Sequence, residues 1–415
     1  MKAKLRHFIK HLTCSFLFIL CLQILTNYIE QNKDIHGIKV DDEIIKQSLF
    51  ADDATFFNNG NQHSFEQLID CLQKFSKCSG LNLNINKSII LRVGTLKTSN
   101  VKYCTNLKFA WTSECASALG ITFYNNVLDT VKNNINKKVK EFQTTLKQWL
   151  HRKLTLMGKI TVVKTYALPK LIYPLTVLNN PNMKLIEDLQ KDIFKFIWNG
   201  KPDKIKRSIL YQQYEFGGLK LTNLKLFLQA TKANWVKRYL DETNNGQWKV
   251  FIKHKIAKYG NKLIFDCELD ETFIKIISDN DIFLNNILSA WINVQESFNT
   301  NKTKLIAKTI IWNNKDITQN GKTYFYNKWY EKGIMYLEHL FDYRTKTFYD
   351  FNFFSGLYDI NQTEYFKYFQ IICSIPTEMK KELTENGINL TQPQKLSTKI
   401  NTTNKVNALM YNQLQ

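Results

Sequence analysis

The chain has 415 residues, 44% hydrophobic and 13% aromatic, which excludes a disordered polymer and leaves room for two or three domains with real cores. Its 57 Lys and Arg against 36 Asp and Glu give a net charge of +21, which favours a polyanionic partner such as nucleic acid. The eight cysteines include no CxxC pair, which argues against a zinc knuckle and fits a reducing compartment.

The N-terminal segment "MKAKLRHFIKHLTCSFLFILCLQILTNYIE" has a basic start and an apolar run from Leu12 to Leu25, in the manner of a signal peptide. Thr13, Ser15 and Gln23 interrupt that run, no A-x-A-like site follows it, and it falls short of the roughly 18 residues that span a bilayer. It reads as a buried helix.

Three strands follow: "GIKV" (37–40), "EIIKQSLF" (43–50) and "ATFF" (54–57), predicted as a meander with Asp-rich turns at Asp41–Asp42 and Asp52–Asp53. The first pair has Lys39, Glu43 and Lys46 around it and reads as a solvated turn. The second sits between Leu49, Phe50, Ala51 and Ala54, Phe56, Phe57. Adjacent carboxylates in apolar surroundings repel one another, and a hard divalent cation such as Mg²⁺ between them would relieve that. By spacing alone, a plain turn explains the pair equally well.

Leu68, Leu72 and Phe75 make one stripe of a helix over 65–78, with Gly80 as the expected C-cap and Lys87 in the strand or loop beyond. "ASALGITF" (116–123) reads as a short strand pair. Next, Val131, Ile135, Val139, Phe142, Leu146 and Trp149 recur at three and four residues, giving one apolar helix face. Lys132, Lys137, Lys138, Lys140 and Lys147 fall opposite, where phosphates would be met. From Asn126 to Leu240 there are 22 Lys or Arg against 7 Asp or Glu, which is +15 of the total +21. Coding bias would spread lysine along the whole chain. This segment, with Trp149, Trp198 and Trp235 inside it, reads instead as a nucleic-acid grip.

Strand, Asp-Asp turn, strand, helix, glycine and lysine in that order outline a polymerase palm. The run "SLFADDATFF…FSKCSGLNLNINKS…ALGI" resembles the reverse transcriptase of LINE-type (non-LTR) retrotransposons. Upstream, "SFLFILCLQILTNYIEQNKDIHGI" (15–38) is similar to that family's palm helix. Downstream, "LKQWLHRKLTLMGKITVVKTYALPKLIYPLTVL" (146–178) resembles its thumb, and "FKFIWNGK" (194–201) and "EFGGLKLTNLKLFLQATKA" (215–233) the segment after it. The likeness covers residues 15–240 in order.

Residues 241–415 read from their own pattern as a helical, aromatic-rich region with a flexible tail, and the resemblance implies an α+β chain with a partial palm over 1–125 and a basic helical thumb and post-thumb over 126–240. It implies RNA-directed DNA synthesis with an RNA template, a DNA primer and deoxynucleoside triphosphates as partners, inside the cell and without a membrane. Asp52 and Asp53 would hold Mg²⁺ or Mn²⁺, Phe50 would pack under the primer terminus, and Lys87 would lie near the triphosphate. Gly120 would belong to the primer grip. Lys137, Lys140, Lys147, Trp149, Arg152, Lys153, Lys159 and Lys164 would hold the duplex by its backbone.

The departures matter equally. The family has a third metal-binding aspartate before the apolar helix, and "MKAKLRHFIKHLT" has no acidic residue. Gln23 stands where Glu is usual, and the resemblance leads one to expect a copy truncated before its fingers, or a clipped gene model. The chain is therefore expected to be inactive alone, with a non-catalytic nucleic-acid-binding remnant as the alternative. Beyond residue 241, "FIKIISDNDIFLNNILSAWINV" (273–294) reads as helices. Trp312, Trp329 and Tyr330 are better suited to a core than to base stacking, and "TENGINLTQPQKLSTKINTTNK" (384–405) reads as flexible.

Overall fold

The computed structural model describes residues 2–51, 53–299 and 306–385. The chain is mixed α+β and falls into two compact units, residues 1–137 and 138–415.

In the first unit, helix α1 (Lys2–Gln31) lays Leu25 and Ile29, with Ile35 beyond its end, against Leu68 and Cys71 of helix α2 (Gln62–Ser79). Asn61 caps the start of α2, and Gly80 ends it in the left-handed conformation with its N–H on the Ser76 carbonyl. Over residues 16–31 the expected buried helix is only half buried. Phe16, Leu17, Leu20, Ile24 and Tyr28 lie on the exposed side of α1. Among the described residues no helix is long and apolar enough to cross a membrane.

Strand β1 (Ile38–Val40) pairs with β2 (Glu43–Ile45), and β3 (Gln47–Phe50) pairs with β4 (Asp53–Phe56), both antiparallel. The expected single strand over 43–50 is broken at Lys46, so two separate hairpins replace the meander. The cause is Lys46 itself. Its side chain turns inward, and Nζ donates to the carbonyls of Ile29, Glu30 and Asn32 at 3.1, 2.8 and 2.7 Å. Those are carbonyls at the C-terminal end of α1 that lack a partner within the helix. Lys46 therefore caps α1 rather than lining a solvated turn. Gln47 adds a bond from Nε2 to the Thr26 carbonyl at 3.0 Å.

Strand β5 (Ile89–Leu91) pairs in parallel with β6 (Ala110–Thr112), and the segment between them is gathered by rings of Phe65, Tyr103, Phe109 and Trp111. Strands β7 (Cys115–Ala118) and β8 (Ile121–Tyr124) form the expected hairpin, with Leu119 and Gly120 both at positive φ in its two-residue turn. Helix α3 (Val127–Leu150) buries Val131, Ile135, Val139, Phe142 and Leu146, as the spacing predicts. Asn134 on α3 bonds both the N–H and the carbonyl of Thr122 on β8.

The second unit continues through α4 (Leu156–Val162), a π-helical turn (Val163–Ala167), α5 (Pro169–Val177), α6 (Met183–Trp198) and α7 (Arg207–Tyr211). Helices α8 (Leu224–Leu240), α9 (Trp248–Ile256), α10 (Glu271–Ser278) and α11 (Ile282–Asn299) follow, and α8 packs along α11 and against α5 and α6. One apolar core runs from Ala230 and Val236 on α8 to Leu383, through α12 (Asn327–Glu331), α13 (Phe351–Tyr358), α14 (Tyr365–Ser374) and α15 (Thr377–Glu385). Trp312 and Trp329 are fully buried in it, and Tyr330 packs on its edge, in line with the core reading. The helices expected over 273–294 are α10 and α11, broken where Asp279 and Asn280 take positive φ. The segment expected to be flexible over 384–405 lies outside the described residues after position 385.

Candidate nucleic-acid interface

The β3–β4 ladder closes on the pair Phe50↔Asp53. Ala51, beside it, takes a left-handed φ of 51°. Phe50 is 67% exposed, and Asp53 is exposed with no side-chain partner among the described residues. Asp52 lies outside the described residues. Lys87 is exposed in a turn over 85–87, its backbone N–H on the Asn84 carbonyl. No ion pair joins it to Asp53. Gly120 is exposed in the β7–β8 turn. Among the described residues no three His, Cys, Asp or Glu side chains gather as a metal site.

The basic segment presents a different surface. Lys137, Lys140 and Lys147 are exposed on α3, and Arg152, Lys153, Lys164 and Lys170 are exposed after it. Lys138 is partly neutralised by Glu141 at 2.8 Å. From Phe142 to Ile186 the chain has seven Lys or Arg and no Asp or Glu, with Asp192 of α6 meeting this stretch at Gln143, 2.8 Å away. At the end of α3 the Arg152 guanidinium lies over the Trp149 ring at 4.3 Å, and Trp149 is stacked with Tyr166 at 5.2 Å and 27°.

Tyr166 went unnoticed in the sequence. It stands in the π-helical turn, and the reason for that turn is Pro169. Proline lacks an N–H and its ring crowds the carbonyl four residues before it. The helix widens instead, with the Leu168 N–H on the Val163 carbonyl at 2.9 Å. The wider turn leaves Lys164, Thr165 and Tyr166 exposed at three successive positions. A proline three residues after a tyrosine was the signal available.

Two other lysines of the segment face inward. Lys159, expected to meet phosphates, is only 5% exposed; its Nζ donates to the carbonyls of Phe196 and Ile197 at 3.1 and 2.9 Å and to Asn199 Oδ1. It caps the C-terminus of α6, and burial pulls its ammonium below the ordinary lysine value. Lys232 is fully buried on α8, donates to the carbonyls of Thr176 and Leu178 at the end of α5, and lies over the Phe283 ring at 4.7 Å. Burial lowers it to about 7. Trp235 also serves the interior: its Nε1 bonds the Thr176 carbonyl, and its ring meets Trp248 and Phe283 edge-on.

A slot of about 110 Å³ lies beside Lys164 between α5 and α8, lined by Leu168, Leu171, Leu175, Leu224 and Phe227. It is apolar and well under the few hundred Å³ that a nucleotide-sized ligand fills. No protein-family model matches the sequence.

Proposed function

We propose that this chain is a fragment of an RNA-directed DNA polymerase of the non-LTR retrotransposon type, which holds template–primer duplex but does not polymerise by itself. The observation that carries the reading is the stretch of residues 142–186, which has no Asp or Glu, exposes Lys147, Arg152, Lys153, Lys164 and Lys170, and contains the stacked Trp149–Tyr166 pair. Such a field binds phosphates without sequence preference. The exposed Phe50 and the open carboxylate of Asp53 at a hairpin end support the polymerase half of the reading. Asp52 and Asp53 would offer oxygen ligands to Mg²⁺ or Mn²⁺, which when bound supplies charge stabilisation at the attacking and leaving oxygens. Two carboxylates do not hold two such ions, so turnover would need a further carboxylate.

A second reading, a nucleic-acid-binding protein without catalysis, is favoured by the same surface taken alone. Primer extension on poly(rA)/oligo(dT) with Mg²⁺, run beside duplex binding over a salt series, separates the two. Salt-sensitive binding without incorporation is expected. Incorporation that survives Asp52→Ala would remove the metal assignment, and absence of any binding at low salt would remove both readings.

A further inference from the structure

Resting on the nucleic-acid reading, we infer that Arg152, Trp149 and Tyr166 form a stacking platform for an unpaired base, with Tyr166 as the residue that meets it. Three observations converge. Tyr166 keeps 53% of its surface exposed while stacked with Trp149, so the ring retains area for another planar group. The backbone leaves α-helical geometry at this point, and the wider turn brings Lys164 and Tyr166 to the surface together. Single-turn departures of that kind concentrate at working sites. Finally, the Arg152 guanidinium lies over the Trp149 ring at 4.3 Å, and Lys147, Lys153, Lys164 and Lys170 are exposed in the same stretch of chain, which has no carboxylate of its own.

The chemistry selects the occupant. A nucleobase is planar and polarisable and stacks on tyrosine or tryptophan whatever its sequence, while its flanking phosphates take the lysines. A base inside a duplex has both faces occupied by its neighbours. The platform therefore discriminates an unpaired strand, or an overhang beside a duplex, from a blunt duplex. An acidic peptide would satisfy the lysines but offers the rings no flat partner.

The test uses the full chain and two labelled duplexes, one blunt and one with a four-nucleotide 3′ overhang that carries 2-aminopurine. Fluorescence anisotropy is expected to show tighter binding of the overhang, with 2-aminopurine emission quenched on binding. Tyr166→Ala should weaken overhang binding by about tenfold and abolish the quenching, with blunt-duplex affinity unchanged within about twofold. Tyr166→Trp should restore both. Tyr166 is exposed, so these variants fold; a lowered melting temperature with the overhang preference intact would mean that the stack only stabilises, and overturns the inference. Equal binding of the two duplexes by the wild type also overturns it, while the nucleic-acid reading stands. Failure to bind either duplex removes both.

Discussion

The ammonium of Lys159 lies 2.9 Å from the carbonyl of Ile197, so a lysine from the most basic stretch of the chain closes the end of a helix instead of facing solvent. A buried acceptor that loses its donor costs about 1–3 kcal/mol. Lys159→Met should accordingly lower the unfolding free energy by about that amount or more, since two carbonyls and Asn199 lose their partner. It should leave the salt dependence of duplex binding unchanged. Lys147→Ala should do the reverse: stability within about 0.5 kcal/mol of wild type, and a salt slope shallower by about 0.9 for the phosphate contact removed. Urea unfolding and a salt titration on the two variants check both statements.

Lys232 gives the second unit a pH dependence whose sign follows from its burial. Its folded value of about 7 lies below the ordinary 10.5, so between those two pH values the unfolded chain holds a proton that the folded one does not. Stability therefore rises as pH rises from about 7 towards 10.5, and below 7 the folded state carries the full cost of a buried ammonium. Each pH unit of separation is worth about 1.4 kcal/mol, an upper bound, because the Thr176 and Leu178 carbonyls and the Phe283 ring favour the charged form. Thermal melts across pH 6 to 10 should show this rise in the wild type relative to Lys232→Met. Parallel curves for the two proteins would refute the assignment.

The contrast among lysines also shows how much could be read without coordinates. Local signals were legible: the Gly80 cap, the hairpin over 116–123, and the apolar face of α3 from Val131 to Leu146 all stand where spacing places them. Direction was not. Lys46, Lys159 and Lys232 look like any cation in the sequence, because their partners are backbone carbonyls 14 to 56 residues away, which carry no side-chain signature. Tyr166 was missed for a related reason. Its neighbour Trp149 lies on another helix, and the π-helical turn that exposes it comes from a proline lacking an N–H rather than from any periodicity. The candidate metal turn was legible only as a turn, since one of its two carboxylates lies outside the described residues.

The Gly217–Gly218 pair separates two uses of glycine. A Cβ on Gly218 would stand 2.1 Å from the Gln212 carbonyl oxygen, a backbone atom that cannot step aside. Gly218→Ala should thus cost about 2–3 kcal/mol through forced backbone displacement. Gly217 has open space around it but sits at φ 75°, so Gly217→Ala meets only the left-handed penalty of about 1–2 kcal/mol. Melting temperatures should fall in the order wild type, Gly217→Ala, Gly218→Ala. Equal losses would show that the close approach to Gln212 is relieved by small shifts.

The two sides of α1 should respond oppositely to truncation, although both are apolar. Ile29 is fully buried against α2 with Leu68 and Cys71, so Ile29→Ala removes packed methyl groups and leaves a cavity, at about 2–5 kcal/mol. Ile24 is 65% exposed on the opposite stripe with Phe16, Leu20 and Tyr28, and Ile24→Ser should change stability by no more than about 0.5 kcal/mol. Hydrogen exchange at the amides of α2 reports on this unit directly, because α2 is held by the same cluster. Faster exchange is expected in Ile29→Ala and wild-type rates in Ile24→Ser. Loss of protection in Ile24→Ser would mean that its stripe is covered in solution, and that α1 is packed on both sides.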